Sequence, residues 1–237
     1  MAPLMDQNPD IERLRQEYSR RAENLKAKDL YSSENPAHNW MISDRQQNIL
    51  GLVNSRLTGS LSNLQILEIG CGSGGVLKEF IQFGATPVQL TGVDLLFNRL
   101  ERAAADLPEC SWVNANGQYL PLKDQSFDLL LQFTAFSSIL DPGTKREMAA
   151  DMLRVLKPGA SILWYDFIWN PTNKQTKGIG LNEIKTLFPF CKLFPLRITL
   201  IPPLTRLLLP SFPRLVNRLS SLKVFNSHLL VWIQKSD

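Results

Sequence analysis

The chain has 237 residues, of which 44% are hydrophobic and 20% are charged, and its formal net charge is +4. This composition is typical of a soluble globular protein with one large core. No apolar stretch approaches the roughly 20 residues that a membrane-spanning helix needs, and the N-terminal segment lacks a signal-peptide pattern. We therefore expect a cytoplasmic location. Three widely spaced cysteines and two histidines argue against a disulfide framework and a metal site.

The basic residues are unevenly distributed along the chain. The stretch 184–236 has eight basic residues and no acidic one, so the remainder has a net charge of about −4. This stretch is either a solvated face or a surface for an anionic partner such as phosphate, a lipid headgroup or nucleic acid. The eight residues are Lys185, Lys192, Arg197, Arg206, Arg214, Arg218, Lys223 and Lys235.

Two helices are predicted at the start of the chain. In IERLRQEYSRRAENLKAKDL, apolar residues such as Ile11 and Tyr18 recur at helical spacing among charged residues. A turn-like patch, YSSENPAH, follows, and a second helix is predicted from an N-cap at Ser43 toward Leu57. We expect residues 1–60 to form an N-terminal helical cap.

From residue 64 onward, short apolar runs alternate with helical stretches. The runs are LQILEI, VQLTGVD, CSWVNA, FDLLLQF and SILWYDF, and the helical stretches are VLKEFIQFG, FNRLERAAADL and TKREMAADMLRVL. This alternation predicts β-α-β units and a parallel sheet covered on both faces. The turn KPGA is predicted to end the last helical stretch. Two late strands, KLFPLRITLI and SHLLVWIQ, are predicted on either side of a helical insertion at about 203–222, within a core domain at 61–237.

The stretch LEIGCGSGG, at the end of the first predicted strand, fits two glycine patterns. Gly70, Gly72 and Gly75 give G-x-G-x-x-G, the dinucleotide fingerprint. The alternative, E-x-G-x-G-x-G, begins at Glu68 and ends at Gly74. Both patterns predict a loop that lets a ligand approach the backbone closely at a helix N-terminus.

The carboxylate at Glu68 distinguishes the two ligands. It would repel a pyrophosphate, but it can receive the ammonium group of S-adenosylmethionine, directly or through water. The loop N–H groups would then bind the carboxylate of that cofactor, and Gly75 would serve helix packing. The loop residues assigned to this role are Gly70, Cys71, Gly72, Ser73 and Gly74.

Polar residues also stand at the end of the second predicted strand and after the third. Asp94 ends VQLTGVD about twenty residues beyond the loop, where a carboxylate can accept from both hydroxyls of a ribose. Asn116 and Gly117 follow CSWVNA and can hydrogen-bond an adenine edge. These residues complete a nucleoside site at the carboxyl edge of the predicted sheet.

The ordered set E-I-G-C-G-S-G, G-V-D, N-G-Q-Y-L-P-L, S-F-D-L-L and L-R-V-L-K-P-G-A resembles the class I S-adenosylmethionine-dependent methyltransferases. The likeness is greatest to their type 11 small-molecule subset. The phrases NPAHNW, QFTAFSSILDP, LWYDFIWNP and TLIPPLTRLL extend it to a branch associated with glycan and natural-product pathways. The resemblance implies a Rossmann-like fold with a seven-stranded, mostly parallel sheet.

The resemblance also implies further cofactor contacts. Gln132 and Phe133 would line the methionine portion, and Leu95 would pack on the adenosine. Tyr18 lies on a helix that closes over the cofactor in related enzymes, although it can equally be a core residue. The family often has aspartate where this chain has Asn116.

Two residues are candidates for a general base, which is needed only if the acceptor must lose a proton. Asp166 lies at the end of the fifth predicted strand, where open α/β proteins bind substrates, or else it caps the next segment. His38, in NPAHNW, titrates near neutrality and is otherwise structural.

The resemblance implies methyl transfer to a hydroxyl, or to an amine, of a small molecule or a glycan or lipid-linked intermediate. The alternatives are an RNA or protein methyltransferase and a non-catalytic module that binds the cofactor. The N-P-P-Y phrase of nucleic-acid enzymes is absent, since QFTAFS stands after the fourth strand, and this argues against nucleic acid. The apolar and basic insertion either packs in the core or contacts an anionic membrane surface.

Overall fold

The computed structural model describes residues 9–23, 32, 34–169, 173 and 175–236. The predicted continuation of the first helix to Leu30 lies outside these residues. The described helices are α1 (Pro9–Glu23), α2 (Pro36–Arg56), α3 (Gly75–Gln82), α4 (Phe97–Asp106), α5 (Pro142–Val155), α6 (Leu181–Leu187), α7 (Pro202–Leu208) and α8 (Pro213–Ser221). Within this part of the chain, no helix has both the length and the apolar character needed to cross a membrane.

Seven strands form one sheet with the order β3-β2-β1-β4-β5-β7-β6. All strands run in parallel except β7, which is antiparallel to both of its neighbours. The strands are β1 (Ile66–Ile69), β2 (Leu90–Asp94), β3 (Ser111–Asn114), β4 (Phe127–Phe133), β5 (Leu156–Phe167), β6 (Lys192–Leu200) and β7 (Asn226–Gln234). The strand order reverses between β1 and β4, and the carboxyl ends beside such a point form the crevice in which open α/β sheets bind ligands.

Two buried clusters pack against the sheet, one on each face. One includes Ile69, Met148 and Trp164, and the other includes Phe80, Leu131 and Tyr165. Five of the seven residues of β4 are buried and apolar, because helices cover the sheet on both sides. This arrangement leaves the carboxyl edge of the sheet as the place where polar side chains gather.

Helix α2 begins eight residues earlier than predicted. Asn35, not Ser43, is its N-cap, and the Asn35 Oδ1 atom accepts hydrogen bonds from the N–H groups of Ala37 and His38. Pro36 occupies the first helical position, where a missing N–H has no cost. The phrase NPAH is therefore the first turn of a helix, which places His38 on a helix and not in a loop.

The turn KPGA does not separate helix from strand. Strand β5 begins at Leu156, directly after α5, and continues through Lys157 and Gly159. The Lys157 Nζ atom donates to Asp128 Oδ1 at 2.7 Å, and the pairing of β4 with β5 shifts register between Phe127 and Leu129. The proline and glycine of KPGA therefore belong to the irregular first part of strand β5 and not to a turn.

The predicted insertion at 203–222 consists of two short helices, α7 and α8. Each begins with a proline, and the stretch from Leu209 to Phe212 joins them. Their inner faces carry Thr205, Val216 and Ser220, which are buried. The division of the chain into a cap and a core stays a prediction.

Gly92, on β2, has no room for a side chain. A Cβ atom there would lie 2.5 Å from Trp112 Cζ3 and 2.8 Å from Cys71 Sγ. We expect Gly92→Ala to lower the free energy of unfolding by about 1–3 kcal/mol because of overpacking. Gly51→Ala is the matched control, since nothing lies within 4 Å of its Cβ position on α2. We expect it to stabilise the fold by about 0.5–1 kcal/mol. Urea unfolding checks both values, and equal stability of the two variants would contradict the prediction.

Candidate functional site

The loop after β1 has the left-handed backbone that glycine favours. Gly70, Gly72 and Gly74 have φ values of +71°, +55° and +78°, and Gly74 is the N-cap of α3. A Cβ atom at Gly70 would lie 2.7 Å from Ala135 Cβ. Gly75 has no positive φ and open space around its Cβ position, so the predicted packing role is wrong for it.

The N–H groups of this loop are mostly used inside the protein. Gly70 and Cys71 donate to the Val93 carbonyl, Gly72 donates to Asp94 Oδ2, and Gly74 donates to the Cys71 carbonyl. Four of the five N–H groups from Gly70 to Gly74 therefore hold the loop in shape. The prediction that the loop N–H groups bind the carboxylate of the cofactor is wrong for those four. The exposed Ser73 is the remaining one of the five.

The carboxylate of Glu68 is buried beside this loop. Its residue is 2% exposed, and its Oε2 atom has no hydrogen-bond partner among the described residues. Burial, and next the nearby charges of Glu79 and Asp94, raise the pKa of Glu68 well above its usual value. An orphaned carboxylate oxygen in an acidic surrounding is suited to a cationic group.

Asp94 connects the glycine loop to the loop after β2. Its Oδ2 atom accepts from the Gly72 N–H and its Oδ1 atom from the Leu96 N–H, each at 2.8 Å. Each carboxylate oxygen has a second lone pair for a ligand hydroxyl. Asp94 therefore shapes the loop and also faces the cavity described below.

Burial determines the state of Cys71 in the same loop. The thiol is buried, and burial is the main cause that raises its pKa, so it stays protonated near neutrality. Its N–H group is bonded to Val93. The side chain therefore fills space behind the loop.

A cavity of about 990 Å³ lies along the carboxyl edge of the sheet. A smaller one of about 330 Å³ adjoins it beside the glycine loop and is bordered by Glu68, Cys71 and Ser73. The two share lining residues, namely Arg45, Gly70, Arg99, Phe133, Thr134 and Tyr165. The larger volume is at the upper end of the range for small-molecule sites.

The β2–β3 side of the large cavity brings together most of the predicted cofactor residues. Gly70, Asp94, Leu95, Asn116 and Gly117 all line it. The Asn116 side chain is bonded at both ends to Gln118, with Oδ1 accepting from the backbone N–H at 3.0 Å and Nδ2 donating to Oε1 at 2.9 Å. Direct adenine recognition by this amide requires an exchange of these bonds and stays a prediction.

Tyr18, on α1, also lines the cavity. Its hydroxyl lies 3.1 Å from Ser138 Oγ, and the guanidinium carbon of Arg99 lies 4.5 Å from its ring centroid. Arg13, on the same helix, donates to the Ser138 carbonyl at 2.5 Å. Helix α1 is therefore attached to the rim of the cavity, whereas its role as a lid stays a prediction.

Arg99 is a site residue that sequence reasoning missed. It lines both cavities, and its Nη1 atom lies 3.4 Å from the Cβ position of Gly72. A guanidinium against the glycine loop provides the positive charge that the occupied loop N–H groups do not. The arginine lies on the first turn of α4, and no local pattern marks it.

The structure contradicts the assignments of Asp166 and Gln132. Both residues are fully buried and border neither cavity. Asp166 Oδ2 accepts from Gln132 Nε2 and from the Ser137 N–H, each at 3.0 Å, and Oδ1 accepts from the Phe167 N–H at 2.8 Å. Burial raises the pKa of this carboxyl. Asp166 is therefore a structural anchor and not a base at the cavity.

The β5–β7 side of the large cavity forms what we call the far chamber. Its apolar wall and its polar groups come from the helices above the sheet and from the ends of β5, β6 and β7. The far chamber is lined by His38, Met41, Ile42, Phe167, Trp169, Ile201, Pro202, Arg206, Ser227 and His228. Apolar walls with few polar groups are typical of sites for small molecules.

His38 is the predicted base that does line the cavity. Burial, and next the charges of Arg45 and Arg206, lower the pKa of its imidazole below the ordinary value of 6.5. The ring is therefore neutral at neutral pH and can accept a proton.

Two arginines place positive charge near His38. Arg45 pairs with Glu79, and its guanidinium carbon lies 5.8 Å from the Phe133 ring centroid and 5.7 Å from that of Tyr165. Arg206 lines the far chamber, and its Nε atom is buried without a hydrogen-bond partner in the described part of the chain. A buried unsatisfied donor next to an apolar wall is suited to a polar or anionic substituent of a ligand.

The cavity wall also brings together side chains from distant parts of the sequence. His228 stacks on Tyr165 with ring centroids 4.7 Å apart, and burial lowers the pKa of His228 to about 3. The Tyr165 hydroxyl lies 2.9 Å from Thr199 Oγ1. Thr199 and Thr134 line the cavity with positive φ values of 62° and 57°, which is uncommon for threonine.

Among the described residues, no cluster of histidine, cysteine and acidic side chains is arranged for a metal ion.

Part of the chain matches a known protein family. Residues 66–159 match the family described as Methyltransferase domain. A sterol 4-C-methyltransferase of Caenorhabditis elegans is 34% identical over 122 residues, which cover 48% of this chain and 35% of the relative. A 2-phytyl-1,4-naphtoquinone methyltransferase of Nostoc sp. is 34% identical over 125 residues, which cover 50% of this chain and 52% of the relative. The chain thus spans about half, or less, of the length of these curated relatives.

Solved structures share the fold at low sequence identity. The N-methyltransferase NodS from Bradyrhizobium japonicum, in complex with S-adenosyl-L-homocysteine, has a TM-score of 0.65 and 16% identity over 97% of this chain and all of its own. An S-adenosylmethionine-dependent methyltransferase from Mesorhizobium loti has a TM-score of 0.57 and 17% identity over 82% of this chain and all of its own. The predicted fold class is confirmed. Residues 66–159 are therefore a methyltransferase domain, and the chain carries it on the fold of the class I S-adenosylmethionine-dependent methyltransferases.

Proposed function

We propose that this protein transfers the methyl group of S-adenosylmethionine to a hydroxyl, or to an amine, of a small molecule or lipid-linked intermediate with an apolar body. The observation that carries the proposal is the shape of the large cavity. It extends from the nucleoside residues at β2 and β3 to the apolar far chamber at β5, β6 and β7. A methyl donor and its acceptor need such a shared space, since the reaction is a direct displacement.

The residues present suit the cofactor. Glu68 offers its unpartnered Oε2 atom to the ammonium group, and Asp94 offers a lone pair on each oxygen to the ribose hydroxyls. Arg99 provides a positive charge for the amino-acid carboxylate. Leu95 provides an apolar surface for the adenine, and Gly117, which has no side chain, lets the adenine approach the backbone. When bound, the cofactor supplies a methyl group on a sulfonium, which is already a good leaving group.

The far chamber suits an acceptor with an apolar body. Met41, Ile42 and Phe167 provide the apolar wall, and Arg206 provides a donor for a polar substituent. The chamber would hold the acceptor oxygen in line with the methyl group that bound S-adenosylmethionine would supply, with the sulfonium sulfur as the leaving group. The neutral imidazole of His38 takes the hydroxyl proton. The relatives named for a sterol and a naphtoquinone support an acceptor of this apolar kind.

Calorimetry and a turnover assay test the proposal together. We expect heat of binding with S-adenosylmethionine, and methyl transfer to members of a panel of hydroxylated and amino-substituted lipids, quinols and sterols. Met41→Trp, which fills the far chamber, should keep cofactor binding and lower kcat/KM by about tenfold or more through misplacement of the acceptor. Val88→Trp is the control, because Val88 is 67% exposed and lies outside both cavities.

Three results would contradict this function. No heat with S-adenosylmethionine would remove the methyltransferase assignment. Cofactor binding without turnover on any acceptor would favour a non-catalytic module. Turnover on RNA or protein that Met41→Trp leaves unchanged would favour the macromolecular alternative, which the basic stretch 184–236 supports.

A further inference from the structure

The segment 207–225 has an unusual concentration of exposed apolar side chains. Six of the eleven large hydrophobic residues that are exposed in the described part of the chain lie in this segment. They are Leu207 (75%), Phe212 (58%), Leu215 (43%), Leu222 (62%), Val224 (66%) and Phe225 (39%). Single exposed apolar residues are normal on a protein surface, but a group this dense marks an interaction site. We call this segment the α7–α8 surface.

The fold fixes which side of α8 faces outward. Val216 and Ser220 are buried, and the Trp40 Nε1 atom, on α2, donates to Asn217 Oδ1 at 3.1 Å. The opposite side carries Leu215 and Arg218, both exposed and three residues apart, so they share one face of the helix. Leu215 is therefore held outward by a packed helix.

The same surface is basic. Arg214 and Arg218 are exposed, Lys223 is partly exposed, and the whole stretch 184–236 has no acidic residue. Mixed apolar and cationic side chains on a short helix are the pattern of proteins that lie on anionic bilayers, with the apolar groups among the acyl chains and the basic groups at the phosphates. A nucleic-acid surface would need the cations but would have no use for exposed Leu207, Leu222 and Val224.

The α7–α8 surface begins directly after residues that line the large cavity. Pro202, Pro203 and Arg206 line the cavity, and the next residue, Leu207, is exposed. Trp169 lines the cavity as well and is itself 62% exposed. A bilayer in contact with this surface would therefore lie next to the opening of the chamber.

We propose that the α7–α8 surface docks this protein on an anionic phospholipid bilayer. Phe212, Leu215 and Leu222 enter the interface, and Arg214 and Arg218 contact the lipid phosphates. Docking does not depend on the methyl acceptor proposed above, since it is measured without turnover. An apolar acceptor would pass from the bilayer into the far chamber, and this consequence alone rests on the proposed function.

Co-sedimentation of the full chain with vesicles tests the docking. We expect binding to phosphatidylcholine–phosphatidylglycerol vesicles, much weaker binding to pure phosphatidylcholine, and a decrease with added salt. The double variant Arg214→Glu and Arg218→Glu should lower binding by roughly tenfold or more. The triple variant Phe212→Ser, Leu215→Ser and Leu222→Ser should lower it by a similar factor.

Matched controls separate this surface from charge or hydrophobicity in general. Lys192→Glu reverses an exposed charge of the basic stretch outside the surface, and Val88→Ser removes an exposed apolar group elsewhere. Both should bind vesicles as the unchanged protein does. Thermal melting shows whether each variant is folded. If the triple variant melts early, Leu207→Ser is the second test, because its side chain is 75% exposed.

Three outcomes would overturn the docking proposal. The first is no binding to anionic vesicles at low salt. The second is binding that the surface variants keep and Lys192→Glu loses. The third is a concentration-dependent dimer that the serine substitutions dissociate, because a second copy of the chain would then cover the surface.

Discussion

Replacing Asp94 with alanine is expected to weaken the binding of S-adenosylmethionine by about a hundredfold or more. Hydrogen bonds to a charged group contribute about 1.5–3 kcal/mol each, so the loss of two ribose contacts accounts for this factor. The substitution also removes the acceptor of the Gly72 and Leu96 N–H groups, which loosens the glycine loop. Isothermal titration with the purified variant measures the change in Kd.

Asp106→Ala is the control for this experiment. Asp106 is an exposed carboxylate at the end of α4, so its loss changes the net charge equally without a contact at the cavity. We expect its Kd to equal that of the unchanged protein. A folded Asp94→Ala variant that binds the cofactor as tightly as Asp106→Ala does would show that the ribose assignment is wrong.

Replacing His38 with glutamine is expected to lower kcat by about 10²–10⁴-fold and to leave the Kd for S-adenosylmethionine unchanged. The imidazole lines the far chamber and would take the proton of the acceptor hydroxyl. The cofactor residues lie on the other side of the cavity. Steady-state kinetics with a saturating acceptor, together with titration calorimetry, separate the two effects.

The pH dependence gives this prediction a second readout. A base works when it is deprotonated, and burial with two nearby arginines lowers the pKa of His38 below 6.5. The rate should therefore rise with pH through a midpoint below 6.5 and stay level above it. His38→Gln should lose this rise, whereas His228→Gln should keep it, because the pKa of His228 is about 3. An unchanged kcat and an unchanged profile in His38→Gln would exclude the base role.

The part of the site that sequence predicts is the part built from local signals. Glu68 and Asp94 lie at or next to the carboxyl ends of buried strands, and the glycine loop follows the first of these strands, so their place at the carboxyl edge of a parallel sheet follows from the strand pattern alone. The positive φ values of Gly70, Gly72 and Gly74 are also a local property. Gly117, and Leu95 and Phe133, which the resemblance implied, also line the cavity, and their contacts with the cofactor stay predictions.

The errors concern two properties that the sequence does not show: which face of a strand a side chain points to, and which residues distant in the sequence are in contact. Successive residues of a strand point to opposite faces, so Tyr165 and Phe167 line the cavity while Asp166 between them faces away. A one-residue uncertainty at a strand end therefore decides between a base and a buried anchor. His228 meets Tyr165 only because β7 pairs with β5 in reverse direction, and no local pattern shows this.

Helix starts and loop bonding also depend on details that spacing does not reveal. The sequence predicts the N-cap of the second helix at Ser43, whereas Asn35 is the N-cap in the structure and is followed by Pro36, which suits the first helical position. The glycine pattern predicts a loop that a ligand can approach, but it does not tell which N–H groups the protein itself uses. In this chain Val93 and Asp94 take three of them.

Two threonines on the cavity wall have a strained, left-handed backbone. A left-handed conformation costs an L-residue roughly 1–2 kcal/mol, and Thr134 and Thr199 both adopt it on the cavity wall. Thr199 is held by its N–H bond to Asp44 Oδ2 and by its contact with the Tyr165 hydroxyl. Glycine at position 199 would relieve the backbone but would remove the partner of that hydroxyl. A less strained backbone and a rigid cavity wall therefore require different residues at position 199. Threonine keeps the partner of the Tyr165 hydroxyl on the cavity wall and accepts the backbone strain.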